Sequence, residues 1–289
     1  MRRALILLAI LAFAILSGHR LDAPWSPGGN GDEAYAGAQY HAICRHFLRH
    51  GIWRTRGAQF RIFHDLRSEE IGDDEGCFSG QALRKSYGDL FWVSRLPFGS
   101  LLHLAALKLA GKDGESINCE WALRLVPFIS AILLIAILGL LLQPALGEAG
   151  IAIAGVCALM PGTVAWARMP GYELPCLFLS TASLIFYAAH REGWPLLAPA
   201  YRFAAAWLCG MAASIIGWFG LLAVAIMLAD TFMAKSPDIA WRRRAALALI
   251  PALVICLYAF YLYLLDQSFA ERLDYFWHQR SLGLSLIHI

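Results

Sequence analysis

The chain has 289 residues, 59% of them hydrophobic and 16% charged, with 24 Lys and Arg against 21 Asp and Glu. A soluble domain carries roughly a quarter charged residues; here the deficit lies in long apolar runs, which argues for a polytopic membrane protein and against a soluble enzyme. The formal net charge of +3 comes without a basic stripe, so nothing points to nucleic acid as a partner.

Met1-Arg2-Arg3 followed by apolar residues 4–17 reads as a charged n-region and a short span. An uncleaved signal anchor with its amino terminus inside is the reading adopted, a cleaved signal peptide being its rival. Residues 18–122 form one large polar loop whose opening, rich in Pro and Gly, is a turn-rich connector. Within it, Gly31-Asp32-Glu33-Ala34-Tyr35 sets two adjacent carboxylates at the head of a helical pattern. Ala36, Tyr40, Ile43, Cys44, Phe47 and Leu48 recur at helical spacing, with Gln39, Arg45, His46, Arg49 and His50 opposite, until Gly51 ends the pattern. A basic amphipathic helix directly after a span predicts one lying in the membrane interface. His46 and His50 stand one turn apart without an acidic partner and read as surface histidines, so no metal site is predicted.

Residues 54–92 are mixed and charged, a solvated excursion without the ligand ladder of a calcium loop. Arg95-Leu96-Pro97 then introduces about fourteen apolar-rich residues, interrupted by His103 and Lys108 and closed by Gly111, which suit a second interfacial or a re-entrant helix. From Arg124 onward spans are expected over residues 125–142, 150–167 and 174–189, with a charged turn at 168–173. The block 203–233 is too long for one span: as one helix it would measure about 46 Å against a core of about 30 Å. Both of its flanks are basic (His190, Arg191 and Arg202; Lys235 and Arg242 to Arg244), so a hairpin with its tip at Gly217-Trp218-Phe219-Gly220 puts both inside. A last span is expected over 245–265. The result is an all-α polytopic protein of about seven spans. The first loop, the 168–173 turn, the hairpin tip and the tail all fall outside.

Of the seven cysteines, Cys157, Cys176, Cys209 and Cys256 lie in apolar runs, whereas Cys44, Cys77 and Cys119 fall in the loop, where one disulfide would leave one thiol over. Residues 284–289 match the translation of a transposase sequencing adapter, so the native protein is expected to continue past Gly283. Residues 1–283 then count as the amino-terminal part of a single membrane domain.

The order of these features resembles the lipid-carrier-dependent glycosyltransferases of the GT-C superfamily, especially the protein O-mannosyltransferase and aminoarabinose transferase branch (glycosyltransferase family 39-like). A short first span, Asp32-Glu33-Ala34-Tyr35 opening a large outer loop, amphipathic helices in that loop and then many spans are shared. Arg95-Leu96-Pro97 echoes a basic residue and proline at a later interfacial helix. Arg124 matches an Arg before a span, and Arg168 to Glu173 matches an Arg-to-Asp turn. The chain departs in having Glu173 for Asp, no polar residue at the Gly217–Phe219 tip, and fewer spans.

The resemblance implies a GT-C-like bundle in a cell inner membrane, with its active site on the periplasmic face. It implies transfer of a sugar from a polyprenyl-phosphate donor to a lipid, glycan or protein acceptor, without metal or cofactor. Asp32 is then the base and Glu33 an orienter. Arg95, Arg168 and Arg280 are expected on the donor phosphate, with Tyr35 and Glu173 beside them. A transporter or flippase component, or a polysaccharide polymerase, is the alternative. A transporter should carry ionisable residues within its spans, and these spans hold almost none away from their ends.

Overall fold

The computed structural model describes residues 2–18, 21, 31–57, 59–60, 91–92, 96–112, 120–194, 197–233 and 237–265. Among them the structure is helical: α1 (Arg2–Gly18), α2 (Gly31–His50), α3 (Phe98–Leu109), α4 (Glu120–Leu146), α5 (Glu148–Leu159), α6 (Pro161–Trp166), α7 (Glu173–Glu192), α8 (Pro199–Ile216), α9 (Gly220–Met233) and α10 (Pro237–Leu264). One feature departs from the all-α expectation. Strands β1 (Gln59–Phe60) and β2 (Phe91–Trp92) pair antiparallel, Gln59 opposite Trp92, and bring the two ends of the 61–90 stretch together.

The helices run back and forth between two ends of one bundle. Along α1 and α4, Ile6 packs where Gly139 leaves room, Phe13 stacks on Phe128 at 5.9 Å, and Arg124 reaches Leu21 just past α1, so the pair is antiparallel. Phe13, Ala131, Ile135, Ala154, Ala158, Ala167 and Leu174 form the core that joins α1, α4, α5 and the start of α7. A second core of Tyr187, Ala206, Val224, Met227, Leu247, Ile250 and Val254 joins α7 to α10. Small residues let these backbones approach closely: Ser183 donates to the Ala206 carbonyl at 2.7 Å, and Gly210 faces Ser183, Val224 and Met227.

Several expected boundaries are met. Gly51 and Gly111 follow the ends of α2 and α3 with φ of +79° and +65°, left-handed values that glycine adopts without a Cβ clash. The 203–233 block is two antiparallel helices: Gly220 lies against the Ala213–Ser214 backbone, and Gly210 lies across from Val224.

Two expectations are corrected. The span placed at 150–167 is broken, because Pro161 disfavours helical geometry at the preceding residue and Met160 adopts φ −59°, ψ 125°. Gln39, expected on the polar face of α2, is buried with Tyr40, Ile43, Cys44 and Phe47.

Among the described residues, two helices are long and apolar enough to cross a bilayer by length and composition: α4 over Glu120–Gly139, and α10 over Trp241–Leu264. Their apolar stretches of 20 and 24 residues correspond to about 30 and 36 Å. The apolar stretches of α1, α3, α5 and α9 are shorter. Apolar side chains also face outward in rows: Leu7, Leu8, Leu11 and Ile15 on α1, Leu222 and Ile226 on α9, and Phe260 and Tyr263 on α10.

Candidate functional site

Arg124, Arg168 and Glu173, singled out in the sequence, lie at one end of the bundle. The α1 carboxy terminus, the α4 amino terminus, the 168–172 turn, the α8–α9 tip and the end of α10 meet there. The last carbonyls of a helix lack intrahelical donors and carry the negative end of its dipole, so cations suit them. At α1 that role falls to Arg168, whose Nε donates to the Ser17 carbonyl at 3.3 Å and whose Nη2 donates to the Leu16 carbonyl. Arg124, only 2% exposed, locks the arrangement from α4. Its Nε donates to the Arg168 carbonyl at 3.2 Å and its Nη1 to the Leu21 carbonyl at 2.9 Å.

Glu173 is the first residue of α7, where the positive end of the helix favours a carboxylate. Its carboxylate folds back over Gly171, so closely that a Cβ there would collide with it. Between Arg168 and Glu173 the turn projects Tyr172. A Cβ on Gly217 would sit 2.7 Å from Tyr172 Cδ2, and one on Gly99 would sit 3.0 Å from Tyr172 Cβ. Tyr172 thus wedges between the hairpin tip and the start of α3. Behind it, Cys176 Sγ donates to the carbonyls of Ala213 and Gly217 at 3.5 and 3.7 Å. The tip continues to α10 through Trp218, whose ring meets Tyr258 edge-on at 5.2 Å.

The helices of the long loop cover the same end. Ile43, Cys44 and Phe47 of α2, Leu104 and Leu107 of α3, and Ala122 and Leu123 of α4 share one core. Beside it lies a buried polar group that the sequence reading passed over as an interruption. Ser100 Oγ donates to Gln59 Oε1 at 2.6 Å, His103 Nδ1 lies 2.8 Å from the Gly99 carbonyl, and the Tyr40 ring stands 4.4 Å from the His103 ring. Its signal was present: Ser100, His103, Leu104 and Leu107 fall on one helical face. Arg56 and Tyr261 tie this layer to α10, through Arg56 Nη1 to the Leu264 carbonyl at 3.0 Å and Tyr261 Oη to the Gly57 carbonyl at 3.1 Å.

Of the residues singled out in the sequence, Arg168 and Glu173 are brought to this end. Asp32, Glu33 and Tyr35 lie in the first turns of α2, and their side chains fall outside the described residues, as do Arg95 and Arg280 altogether. Arg168 was expected on a phosphate. Two of its five N–H donors are engaged by α1, which leaves the remaining donors of a cation already fixed in place.

The His46 and His50 rings stack at 5.8 Å, and burial, reinforced by Arg54 and Arg49, holds the His50 imidazole below its usual pKa. Among the described residues no three His, Cys, Asp or Glu assemble as metal ligands. Cys44 is buried, with its Sγ 3.8 Å from the Ser100 carbonyl; Cys77 and Cys119 lie outside the described residues.

No family model matches the chain, and neither does any curated protein or solved structure.

Proposed function

We propose that the protein is an inverting, metal-independent membrane glycosyltransferase. It would move a sugar from a polyprenyl-phosphate donor to a lipid, glycan or protein acceptor on the outer face of a cell membrane. The observation that carries this reading is the meeting of Arg124 and Arg168 with the end of α1, where the loop bearing Asp32 and Glu33 begins, with Glu173 at the close of the same 168–173 turn. Two further features agree with it. The outward apolar rows on α1, α9 and α10 suit lipid as solvent better than water. The basic residues of the opposite end, Arg191, Arg202, Arg243 and Arg244, suit a cytoplasmic face, which makes the Arg168–Glu173 end the outer one.

Counted by direction of travel, α1, α4, α5 with α6, α7, α8, α9 and α10 would then be seven passages, and α2 and α3 would lie in the outer interface. In the reaction an acceptor hydroxyl or amine attacks the anomeric carbon. The bond from that carbon to the phosphate oxygen breaks, its electron pair leaves with the polyprenyl phosphate, and the acceptor proton passes to Asp32. Glu33 orients the acceptor. Arg168, with Arg95 and Arg280, stabilises the charge that grows on the phosphate, each offering a planar fork of donors. Arg124 is a positioning residue, acting through the Arg168 backbone. Tyr35 and Glu173 complete the wall of the site.

The test is Asp32→Asn in membranes containing the full-length protein, with a labelled polyprenyl-phosphate sugar as donor. Loss of a general base should lower transfer by about 10²–10⁴-fold, with donor binding kept. Asn caps a helix about as well as Asp, so if Asp32 is only a cap, Asn is tolerated and Ala costs about 1 kcal/mol. Full activity in the Asn variant removes the catalytic assignment.

A further inference from the structure

The bundle end opposite the site carries a charge arrangement that the proposed transfer does not use. Residues 190–244 hold six basic side chains (Arg191, Arg202, Lys235, Arg242, Arg243, Arg244) and three acidic ones (Glu192, Asp230, Asp238). That excess of three equals the +3 of the whole chain.

Of the acids at these helix ends, Glu192 closes α7 and is exposed, whereas Asp230 is already committed. Asp230 accepts from Tyr187 Oη at 2.7 Å and forms an ion pair with Arg191. Arg202 is turned to backbone, donating to the Leu197 carbonyl at 2.7 Å and the Ala189 carbonyl at 3.5 Å. Arg244 donates through Nη2 to the Thr231 carbonyl at 2.8 Å and lies 4.5 Å over the Phe232 ring.

Two donors remain. His190 Nε2 and Arg244 Nε are both buried, and neither has a hydrogen-bond partner among the described residues. Buried nitrogens without acceptors are costly unless something polar reaches them. Arg243, on the turn of α10 beside Arg244, makes no hydrogen bond among the described residues. Arg243 and Arg202 lie near enough to His190 to add to burial, the larger cause, in lowering its pKa. Next to these cations the surface is apolar and open: Trp241, Phe232 and Met233 are 59%, 65% and 76% exposed.

Cations with unsatisfied donors beside an exposed apolar ledge match a phosphate joined to acyl chains. We propose that the junction of α7, α8, α9 and α10 holds the headgroup of an anionic diacyl phospholipid, with the phosphate at His190, Arg243 and Arg244 and the acyl chains against Trp241 and Phe232. This rests on the membrane reading given above, with this end cytoplasmic.

Trp241 reports on the site. The full chain is reconstituted in phosphatidylcholine vesicles that contain a small fraction of a bromine-labelled lipid, either phosphatidylglycerol or phosphatidylcholine. The Trp241 signal is taken as the difference between the protein and its Trp241→Phe variant. Expected is at least threefold stronger quenching by the brominated phosphatidylglycerol at equal mole fraction. The preference should fall toward one in Arg243→Gln, return in Arg243→Lys, and weaken in 1 M salt. Arg243 makes no hydrogen bond among the described residues, so the variant should fold, and the salt series on the unmodified protein tests the same preference without a variant.

Equal quenching by the two lipids overturns the proposal and leaves the membrane reading intact. Absence of quenching at every tryptophan by either lipid overturns the membrane reading itself. Abolition of the preference by millimolar inorganic phosphate overturns the lipid assignment in favour of a free-phosphate site.

Discussion

Arg124 offers the sharpest test of how the outer end is held together. Its guanidinium is almost fully buried and donates to two backbone carbonyls, that of Leu21 past α1 and that of Arg168 in the 168–173 turn. Hydrogen bonds from a charged group are worth roughly 1.5–3 kcal/mol each. Arg124→Met keeps much of the volume and removes both, which sets a loss of about 3–6 kcal/mol; the lower half is expected, because carbonyls at a helix end can recruit water. At about 2–4 °C per kcal/mol, the unfolding midpoint should fall by roughly 6–18 °C.

The assay is thermal unfolding of the purified chain in mild detergent, read by tryptophan fluorescence. Arg124→Lys, one compact donor in place of a fork, should recover only part of the loss. Because Arg124 bonds to the backbone of Arg168 while the Arg168 side chain holds α1, the pair should be coupled. The double variant with Arg168→Gln should depart from additivity by more than 0.5 kcal/mol. A loss under about 1 kcal/mol for Arg124→Met, or strict additivity, would show that this clamp does not fix the end of α1.

The hairpin makes a second prediction. A Cβ on Gly220 would stand 2.3 Å from both the Ala213 carbonyl carbon and the Ser214 nitrogen. Gly220→Ala should therefore cost about 1–3 kcal/mol in thermal unfolding. Gly155→Ala, where a Cβ meets nothing within 4 Å, should instead be neutral or stabilising by about 0.5–1 kcal/mol; equal effects at the two positions would refute the close contact. Topology supplies a third. In sealed cells an impermeant thiol reagent should reach Cys77 from outside, and a cysteine introduced at Ser236 only after the membrane is opened. Outside labelling at 236 would invert the hairpin and move the Arg168–Glu173 end away from the outer face.

The sequence alone determined those elements whose signals are local. Helix ends at Gly51 and Gly111 were legible because a residue past a helix end favours φ above zero, which glycine adopts without a Cβ clash. The break at Gly217–Gly220 followed from length against bilayer thickness and from charge on both flanks. The interruption at Met160 was equally local, written in Pro161, and a hydropathy reading passed over it because proline is no less apolar than its neighbours.

Tertiary structure alone decided what the polar residues touch. Arg124 was legible as an arginine before a span, but its acceptors lie 103 and 44 positions away, on segments with no pattern that pairs them. Arg168 looked like a free cation for a phosphate until the end of α1, some 150 residues earlier, proved to engage two of its donors. Gln39, Ser100 and His103 have the chemistry of surface residues, and only the meeting of α2, α3 and β1 buries them together. The physical reason is one of range. Capping, periodicity and turn geometry act within a few residues, whereas the partner of a buried donor is set by which distant backbone the packing brings within 3 Å.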